Sequence, residues 1–575
     1  MKFLLGCILL IFFTACQQYD KRMNYAGGSF NMAMDYGPST FDPIQANDYY
    51  SSTVLSQVVE GLVSTDPGNL SILPQLATKW KVSDDGKTYR FLIRKGVYFH
   101  EHPAFSMKNE RLLTVKDVHF SLERMCLPNS AGEPSHAYTL LFKDKLSGAS
   151  TFFNKKTARL SGIRSSGDTI IIELRQRDDF FLTKLSHVSA AIISKRAFEK
   201  DGSIVGTGPF VQQNNPSSEP TSILLKKNEE YYERDVFHHT LPYLDSIRIF
   251  ISSKKNDQIN WFNRGKIDYI GGLSPQFSST IIEARIKDFN SKPPVLFLNS
   301  NPHLTTNFYL FNMQDPRFTD SRVRQAINFA IDRKRIGKQI LSNQYYRLGN
   351  MGIIPPITQV FKGYAFKTIQ PGGYFYAPEL AKQLMRDAGY SDGKAFGKIV
   401  MRVDKDELNS AIAKEIQRQL KRILGLEIEI TYHSFEDKNV LASKGNGDLF
   451  RSAWTADYPS PETFLLNFYS KLIPTDSLIP STINQTRYRN QLFDQLFEQA
   501  IHADNKGEAL NYFNQAEVVL LQNPPFIPLW YSADYQIIYS NVRNLHFNPL
   551  NFLVLKRVYK KAWTIDEYRR KKIKP

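Results

Sequence analysis

The run Arg451-Ser452-Ala453-Trp454-Thr455-Ala456-Asp457-Tyr458-Pro459 carries the chemistry that stands out in this chain. A guanidinium and a carboxylate flank a short apolar stretch, a large aromatic sits inside it, and a proline closes it. An extended segment sets alternate side chains on one face. Arg451, Ala453, Thr455 and Asp457 then share one face, and Trp454 and Ala456 the other. Such an edge offers main-chain hydrogen bonds, a positive charge at one end and a negative charge at the other. A short peptide holds its amine and carboxylate in the complementary arrangement. The same residues also describe an ordinary buried strand with a capped end, so the rest of the chain has to separate the two readings.

Patterns for catalysis are missing. Gly206-Thr207-Gly208 lacks the third glycine of a dinucleotide fingerprint and runs into Pro209. No Gly-x-Ser-x-Gly elbow and no P-loop occurs. No catalytic residue and no cofactor is therefore expected. His100 with His102, and His238 with His239, are the nearest approach to a metal motif, but a full site needs three or four ligands. They are expected to be histidines of surface loops, with no metal.

The chain begins Met1-Lys2, continues uncharged and apolar from Phe3 to Phe13, and reaches Thr14-Ala15-Cys16. A basic start, a short apolar stretch and small residues before the break read as an export signal, 1–15. The stretch is shorter than the roughly 20 apolar residues a membrane-spanning helix needs. Cys16 follows Thr-Ala as in the lipobox of bacterial lipoproteins. That resemblance implies cleavage before Cys16, acylation of it, and a tether over 16–23. A plain secretory signal with Cys16 incidental is the alternative. Once Cys7 is removed and Cys16 acylated, Cys126 is alone, so no internal disulfide is expected and stability must come from core size. At 575 residues the chain is long enough for roughly three to four domain-sized cores. The formal charge is +17, but the basic residues are scattered apart from the tail Lys560 to Lys574. That tail reads as a solvated end or a contact to anionic lipid, not a nucleic-acid site.

The elements alternate. Asp84-Asp85-Gly86 marks a turn, after which Tyr89, Phe91 and Ile93 alternate as a half-buried strand. Thr114 with Asp117 opens a helix carrying Val118, Leu122 and Met125 on one face. Val323, Ala326, Ile327, Ala330 and Ile331 repeat at helical spacing behind Asp320 or Ser321 as cap. Pro378 starts a helix expected to turn Leu380 and Leu384 inward and to end at Gly389. Leu408, Ile412 and Leu420 lie on a helix ending at Gly425, followed by a strand through Leu426, Ile428 and Ile430. Repeated helix-to-strand units argue for an α/β fold.

In this order the chain resembles bacterial extracellular solute-binding proteins of family 5, the receptors of peptide, dipeptide and nickel ABC importers. The resemblance rests on Phe41-Asp42-Pro43, Val59-Glu60-Gly61-Leu62, the blocks 74–80 and 83–91, the helix 114–124, Gly206-Thr207-Gly208-Pro209-Phe210, the segment Asp315 to Arg333, and 451–459. Phe99-His100-Glu101-His102-Pro103 and Ser460 depart from the family pattern. The resemblance implies a two-lobed periplasmic-binding-protein fold, class II and of the large peptide-binding type, with an extra third domain and two crossing strands. Lobe I would comprise 24–66, 195–300 and 525–575, the extra domain 67–194 and lobe II 301–524.

It also implies site residues. Asp457 matches the aspartate that pairs with a peptide's α-ammonium in oligopeptide-binding members. Arg451 matches an arginine that can reach a peptide carboxylate, with a structural salt bridge as the alternative. Trp454 and Tyr458 would line the cleft, and the main chain of Ala453 and Thr455 would pair with the ligand. Asn47, Asp48 and Tyr49 would form the facing loop, with a surface turn as the alternative. The implied partners are a peptide ligand, an ABC permease and ATPase, and the membrane through the Cys16 anchor, with the receptor a monomer. The same fold could instead take a nickel chelate, an oligosaccharide or a cell-wall peptide, or serve as a surface signalling or adhesion module. Opposed charges at Arg451 and Asp457 favour a zwitterionic peptide over a sugar.

Overall fold

The computed structural model describes residues 27–561 apart from 47, 130–131, 214–221, 274, 370–371, 391–392, 394, 477–478 and 551. The signal over 1–15, Cys16, the tether over 16–23, Asn47 and the tail beyond Lys561 lie outside the described residues. Strand β1 (Ser29–Met34) alternates half-buried and buried side chains, and helix α1 (Tyr49–Val58) follows it. The chain then builds a small separate sheet from β2 (Ala77–Val82), β3 (Thr88–Ile93), helix α2 (Val115–Met125), β4 (Ile163–Ser166) and β5 (Thr169–Glu173). Its order is β2-β3-β5-β4. Gly86, at φ +68°, makes the expected turn, and the Thr114–Asp117 capping box starts α2.

The return into the first lobe passes Gly206-Thr207-Gly208. A Cβ on either glycine would run into the Val58 carbonyl, so only glycine lets this segment lie across the end of α1. Gly208 N–H donates to that carbonyl at 2.9 Å. Beside it the buried Glu60 carboxylate accepts from Tyr231 at 2.6 Å, Thr207 at 2.9 Å and Gln75 at 3.1 Å, which joins the small sheet to the lobe. Strands β6 (Phe210–Gln213), β7 (Ser222–Lys227) and β8 (Ser246–Ile251) complete a four-stranded sheet, β1-β8-β7-β6, with β1 and β8 parallel.

Strand β9 (Tyr269–Ile270) and the long β10 (Leu296–Phe311) lead into the second lobe. There lie α3 (Ser321–Phe329), α4 (Pro378–Asp387), β11 (Lys398–Asp404), α5 (Glu407–Leu424), β12 (Glu427–His433), α6 (Phe435–Ser443), β13 (Leu449–Thr455), α7 (Gln491–Ile501) and α8 (Lys506–Gln522). Strand β14 (Phe526–Tyr539) runs back to the first lobe. The sheet order is β9-β14-β10-β13-β11-β12. Alternate residues of β10 feed two cores: Phe308 and Leu310 enter one, Tyr309 and Phe311 the other.

Strands β10 and β14 are the crossing pair. Residues 296–302 pair with 533–539, the register shifts between Pro302 and Thr306, and 306–310 then pair with 526–531. β10 is buried at Leu296 and again from Leu304, but exposed or half-exposed from Phe297 to His303. A two-stranded ribbon with so little side-chain packing at its middle is where two lobes can bend. The entry to β14 is held by buried donors of the 315–333 motif. Arg324 donates to the Pro524 carbonyl at 2.8 Å, Asn328 to that of Phe526 at 3.1 Å, and Arg333 to that of Pro528 at 2.6 Å.

Two expectations are corrected. Helix α4 buries Ala381 and Met385, while Leu380 is exposed and Leu384 half-buried. The small Ala381 lets α4 lie close on its neighbours, which turns the helix by one position relative to a leucine-led face. His100 is not a surface-loop residue: it is buried, with Nε2 2.9 Å from the Gly208 carbonyl, and burial pushes its pKa down to about 4.

The small unit is also fastened to the second lobe. Lys184, fully buried, donates to Asp178 at 2.8 Å and Glu462 at 2.9 Å, and Lys145 lies 3.5 Å and 3.8 Å from the same carboxylates. Burial alone would raise the Asp178 carboxyl, but the two ammonium groups outweigh it and hold it at about 2. Removing one member of such a cluster strands the opposite charges in the interior. Lys184→Met should therefore destabilise the protein by about 3–5 kcal/mol in urea unfolding, and adding Glu462→Leu should recover part of that loss. A single-variant loss under about 1 kcal/mol would show that the cluster is solvated and does not fasten the unit.

Candidate functional site

The site is built where β13 runs out of partners. On one side β13 pairs with β10 along its whole length, from Leu449↔Phe311 to Thr455↔Thr305. On the other side it pairs with β11 only at Leu449 and Phe450. Among the described residues the second edge is open from Arg451 onward. Ala456 N–H donates to the Leu304 carbonyl at 2.9 Å, so the antiparallel alternation turns the main-chain groups of Thr455 and Ala453 away from β10, toward the open side. Ala453 and Thr455 are exposed, whereas Ala456 and Tyr458 are buried and Trp454 is half-buried in the second-lobe core. The strand stops at Thr455, so Asp457 sits two residues past its end and not within it.

Asp457 is open to solvent yet ringed by protein on nearly every side, as a residue in the wall of a cleft is. The protein around it desolvates the carboxyl in part, and this pushes its pKa up to about 6. Among the described residues it makes no hydrogen bond and no ion pair. Its neighbour is fixed: the Lys184 ammonium lies 5.0 Å from the Tyr458 ring centre, and Glu462 follows in the same turn. On β10, His303 stands opposite Asp457 if the register of Thr305↔Thr455 is continued. His303 Nδ1 is 2.7 Å from Thr305 Oγ1, which is 2.7 Å from Thr455 Oγ1. Its Nε2 is buried without a partner, and burial pushes the imidazole pKa down to about 4, so it is neutral at pH 7.

Arg451 is buried and extensively engaged. Nε donates to Asn409 at 2.7 Å, one terminal nitrogen to the Phe308 and Ser452 carbonyls, and the other to Asn307 at 2.6 Å. Asn307 passes the connection to Ser532 of β14 at 2.8 Å, and the guanidinium lies 5.2 Å from the Trp530 ring centre. Arg451 thus ties β13 to the crossing strands, and among the described residues it does so without a salt bridge to a carboxylate. Past Phe450 the strands β11 and β13 splay, and the gap between them holds a cavity of about 720 Å³. Arg451, Ala453 and Trp454 line it from β13, Asp404 and Asn409 from the β11 side, and Lys438 from α6.

On the first-lobe side, Asp48 is spent on local structure. Its carboxylate caps α1 through Ser51 N–H at 2.8 Å and accepts from the Ser51 and Ser39 hydroxyls at 2.6 Å. Tyr49 is the first residue of α1 and not part of a loop. It keeps an exposed face, and its hydroxyl pKa is raised by burial and by Asp534. Asp534, on β14, went unnoticed in the sequence. Burial raises its carboxyl, opposed by hydrogen bonds from Gln536 at 2.5 Å and Gly272 N–H at 3.3 Å. A signal existed: Thr455-Ala456-Asp457-Tyr458 is echoed by Ser532-Ala533-Asp534-Tyr535. The described residues contain no group of three or more His, Cys, Asp or Glu able to hold a metal ion. None of their helices is long and apolar enough to cross a membrane.

The profile of bacterial extracellular solute-binding proteins, family 5, matches residues 71–475. The chain is 26% identical over 542 residues to a probable deoxycholate-binding periplasmic protein of Escherichia coli, covering 91% of this chain and 92% of that one. It is 23% identical over 531 residues to the oligopeptide-binding protein OppA of Bacillus subtilis, covering 90% of each. Among solved structures, the periplasmic binding protein DppA of Helicobacter pylori, in complex with the peptide STSA, superposes with a TM-score of 0.73. That likeness spans 94% of this chain and 100% of the other at 24% identity. Two lobes joined by a crossing pair, an open cleft-side strand edge and a profile match over most of the length agree, and the chain belongs to the bacterial extracellular solute-binding proteins of family 5, which are binding receptors and not enzymes.

Proposed function

We propose that this protein is the lipid-anchored receptor of an ABC importer, which captures peptides between its lobes by their α-ammonium and delivers them to the permease and ATPase. The carrying observation is Asp457: a carboxylate with no counter-charge among the described residues, just past the end of an open strand edge. A peptide ammonium supplies the missing charge, and the outward main chain of Ala453 and Thr455 pairs with the peptide as an added strand. Trp454 and Tyr458 hold the wall, and Tyr49, with an exposed face at the start of α1, faces it from the other lobe. In this reading lobe I is 24–66, 195–300 and 525–575, the extra domain is 67–194 and lobe II is 301–524. The lobes close by bending of the β10–β14 ribbon, since a bound ligand favours the state in which both lobes touch it. An oligopeptide-binding relative and a neighbour solved with a peptide support the ligand class.

Asp457→Asn keeps the shape and removes the charge. Leaving a desolvated ammonium unpaired costs roughly 2–5 kcal/mol, or roughly 30-fold to several thousand-fold in affinity. Calorimetry should find that loss for free peptides, little further loss for N-acetylated ones, and a variant that hardly distinguishes the two. Equal losses for both forms would make Asp457 structural.

The raised carboxyl gives a pH signature. Capture needs the ionised form, so affinity should be level above pH 7 and fall about tenfold per unit below about 6. The unliganded protein behaves in the opposite sense, since a raised folded-state pKa adds stability as pH drops through 6 toward 4. An affinity profile that is flat from pH 7.5 to 5 would contradict the assignment, and Asp457→Asn should give that flat profile.

Cys16→Ser should release the protein from the membrane fraction, because the acyl chains it would carry are the proposed anchor. Retention at the wild-type level would place the anchor elsewhere.

A further inference from the structure

We infer that the solute is an oligopeptide of about four to six residues, held by its N-terminus and by the side chains that follow, with no clamp on its C-terminal carboxylate. This rests on the capture of an ammonium at Asp457. The extended strand from Thr455 to Arg451 spans four positions, about 13 Å at about 3.3 Å per residue, and Asp457 lies two residues beyond it. A dipeptide laid beside it reaches about 7 Å and a tripeptide about 10 Å, which ends where Trp454 begins the wall of the cavity. A peptide pairing with Thr455 and Ala453 is delivered directly into that cavity, since the cavity is the gap left where β11 parts from β13.

The size of the gap agrees. At about 720 Å³ it matches a site for a whole small ligand and exceeds what one side chain fills. Its mouth carries Phe435 at 65% exposure, Val440 at 50% and Ile483 at 39%, apolar groups left facing solvent. Bulky apolar side chains at the third to fifth peptide positions would cover them and bury that surface.

The charges around the gap argue against a clamp on the far end. The charged side chains lining it are Asp404, Asp406, Lys438 and Arg451, which balance formally. Lys438 is paired with Asp404 at 2.8 Å. Asp406 caps α5 and accepts from the Asn409 side chain at 2.7 Å. Arg451 has its Nε and both terminal nitrogens engaged by protein acceptors, so it cannot offer the paired donors of a bidentate carboxylate contact without breaking the tie to Asn307 or Asn409. The two termini of the ligand are therefore read unequally: the amine by charge, the carboxylate hardly at all.

The test uses ligand-stripped full-length protein and random peptide libraries of fixed length, two to six residues, mixed in equal amounts, with retained masses read by native mass spectrometry. Peptides of four to six residues should be retained at least about tenfold over di- and tripeptides, and C-terminal amidation should change affinity less than about threefold. Val440→Trp, at an exposed position, should weaken the retained peptides by about tenfold while leaving dipeptide binding as it was. Di- and tripeptides retained as well as longer ones, and lost in Asp457→Asn, would overturn the length inference and keep the capture of the amine. A tenfold loss on amidation would overturn the unclamped C-terminus. No retention at any length, or retention indifferent to N-acetylation, would overturn the peptide reading itself.

Discussion

Asp457 is exposed and has no hydrogen bond or counter-ion among the described residues, and the elements around it fix it in that state. Behind it, Ala456 and Tyr458 enter the second-lobe core and Lys184 and Glu462 fix the turn from the far side. Before it, β13 is anchored by β10 along its full length and by Arg451 to Asn307 and Asn409. The residue itself lies just beyond the last paired strand position. In the proposed role, an arriving cation supplies the charge that the fold leaves out at Asp457.

In the proposed closure, the elements that fix the site also carry the bend. The β10–β14 ribbon belongs to both lobes, is exposed at its middle and carries a register shift there. At the second-lobe end it is clamped by carbonyl contacts from Arg324, Asn328 and Arg333. Rigid ends and a sparsely packed middle confine bending to a few residues, so a motion of the lobes carries Asp457 as part of a solid wall.

Much of this is legible in the sequence, for identifiable reasons. Period-two and helical spacing placed β3, α2, α3 and α5 correctly, because each buries one face on a local neighbour. Gly206 and Gly208 and the motif around Asp457 are short-range signals that backbone sterics or a single charge demand. Contacts distant in sequence are harder to read. Nothing near Arg451 announces Asn307, 144 positions away, so a buried bracing role and a ligand-facing one looked alike. The cavity comes from two strands diverging, which no local pattern encodes. The face of α4 turned on the smallness of Ala381 and not on leucine spacing, and His100 was hidden by a segment more than a hundred positions later.

The most direct measurement is the ionisation of one carboxyl. Carbon-13 NMR of Asp457, assigned by its loss in Asp457→Asn, can follow the pKa without and with a bound oligopeptide. A value near 6 is expected in the free protein. With a free-amine peptide bound a fall to below about 4 is expected, since the ammonium stabilises the charged form. A free-state value already below 4, or one that does not move when the peptide binds, would contradict the claim that Asp457 waits uncompensated for the ligand's charge.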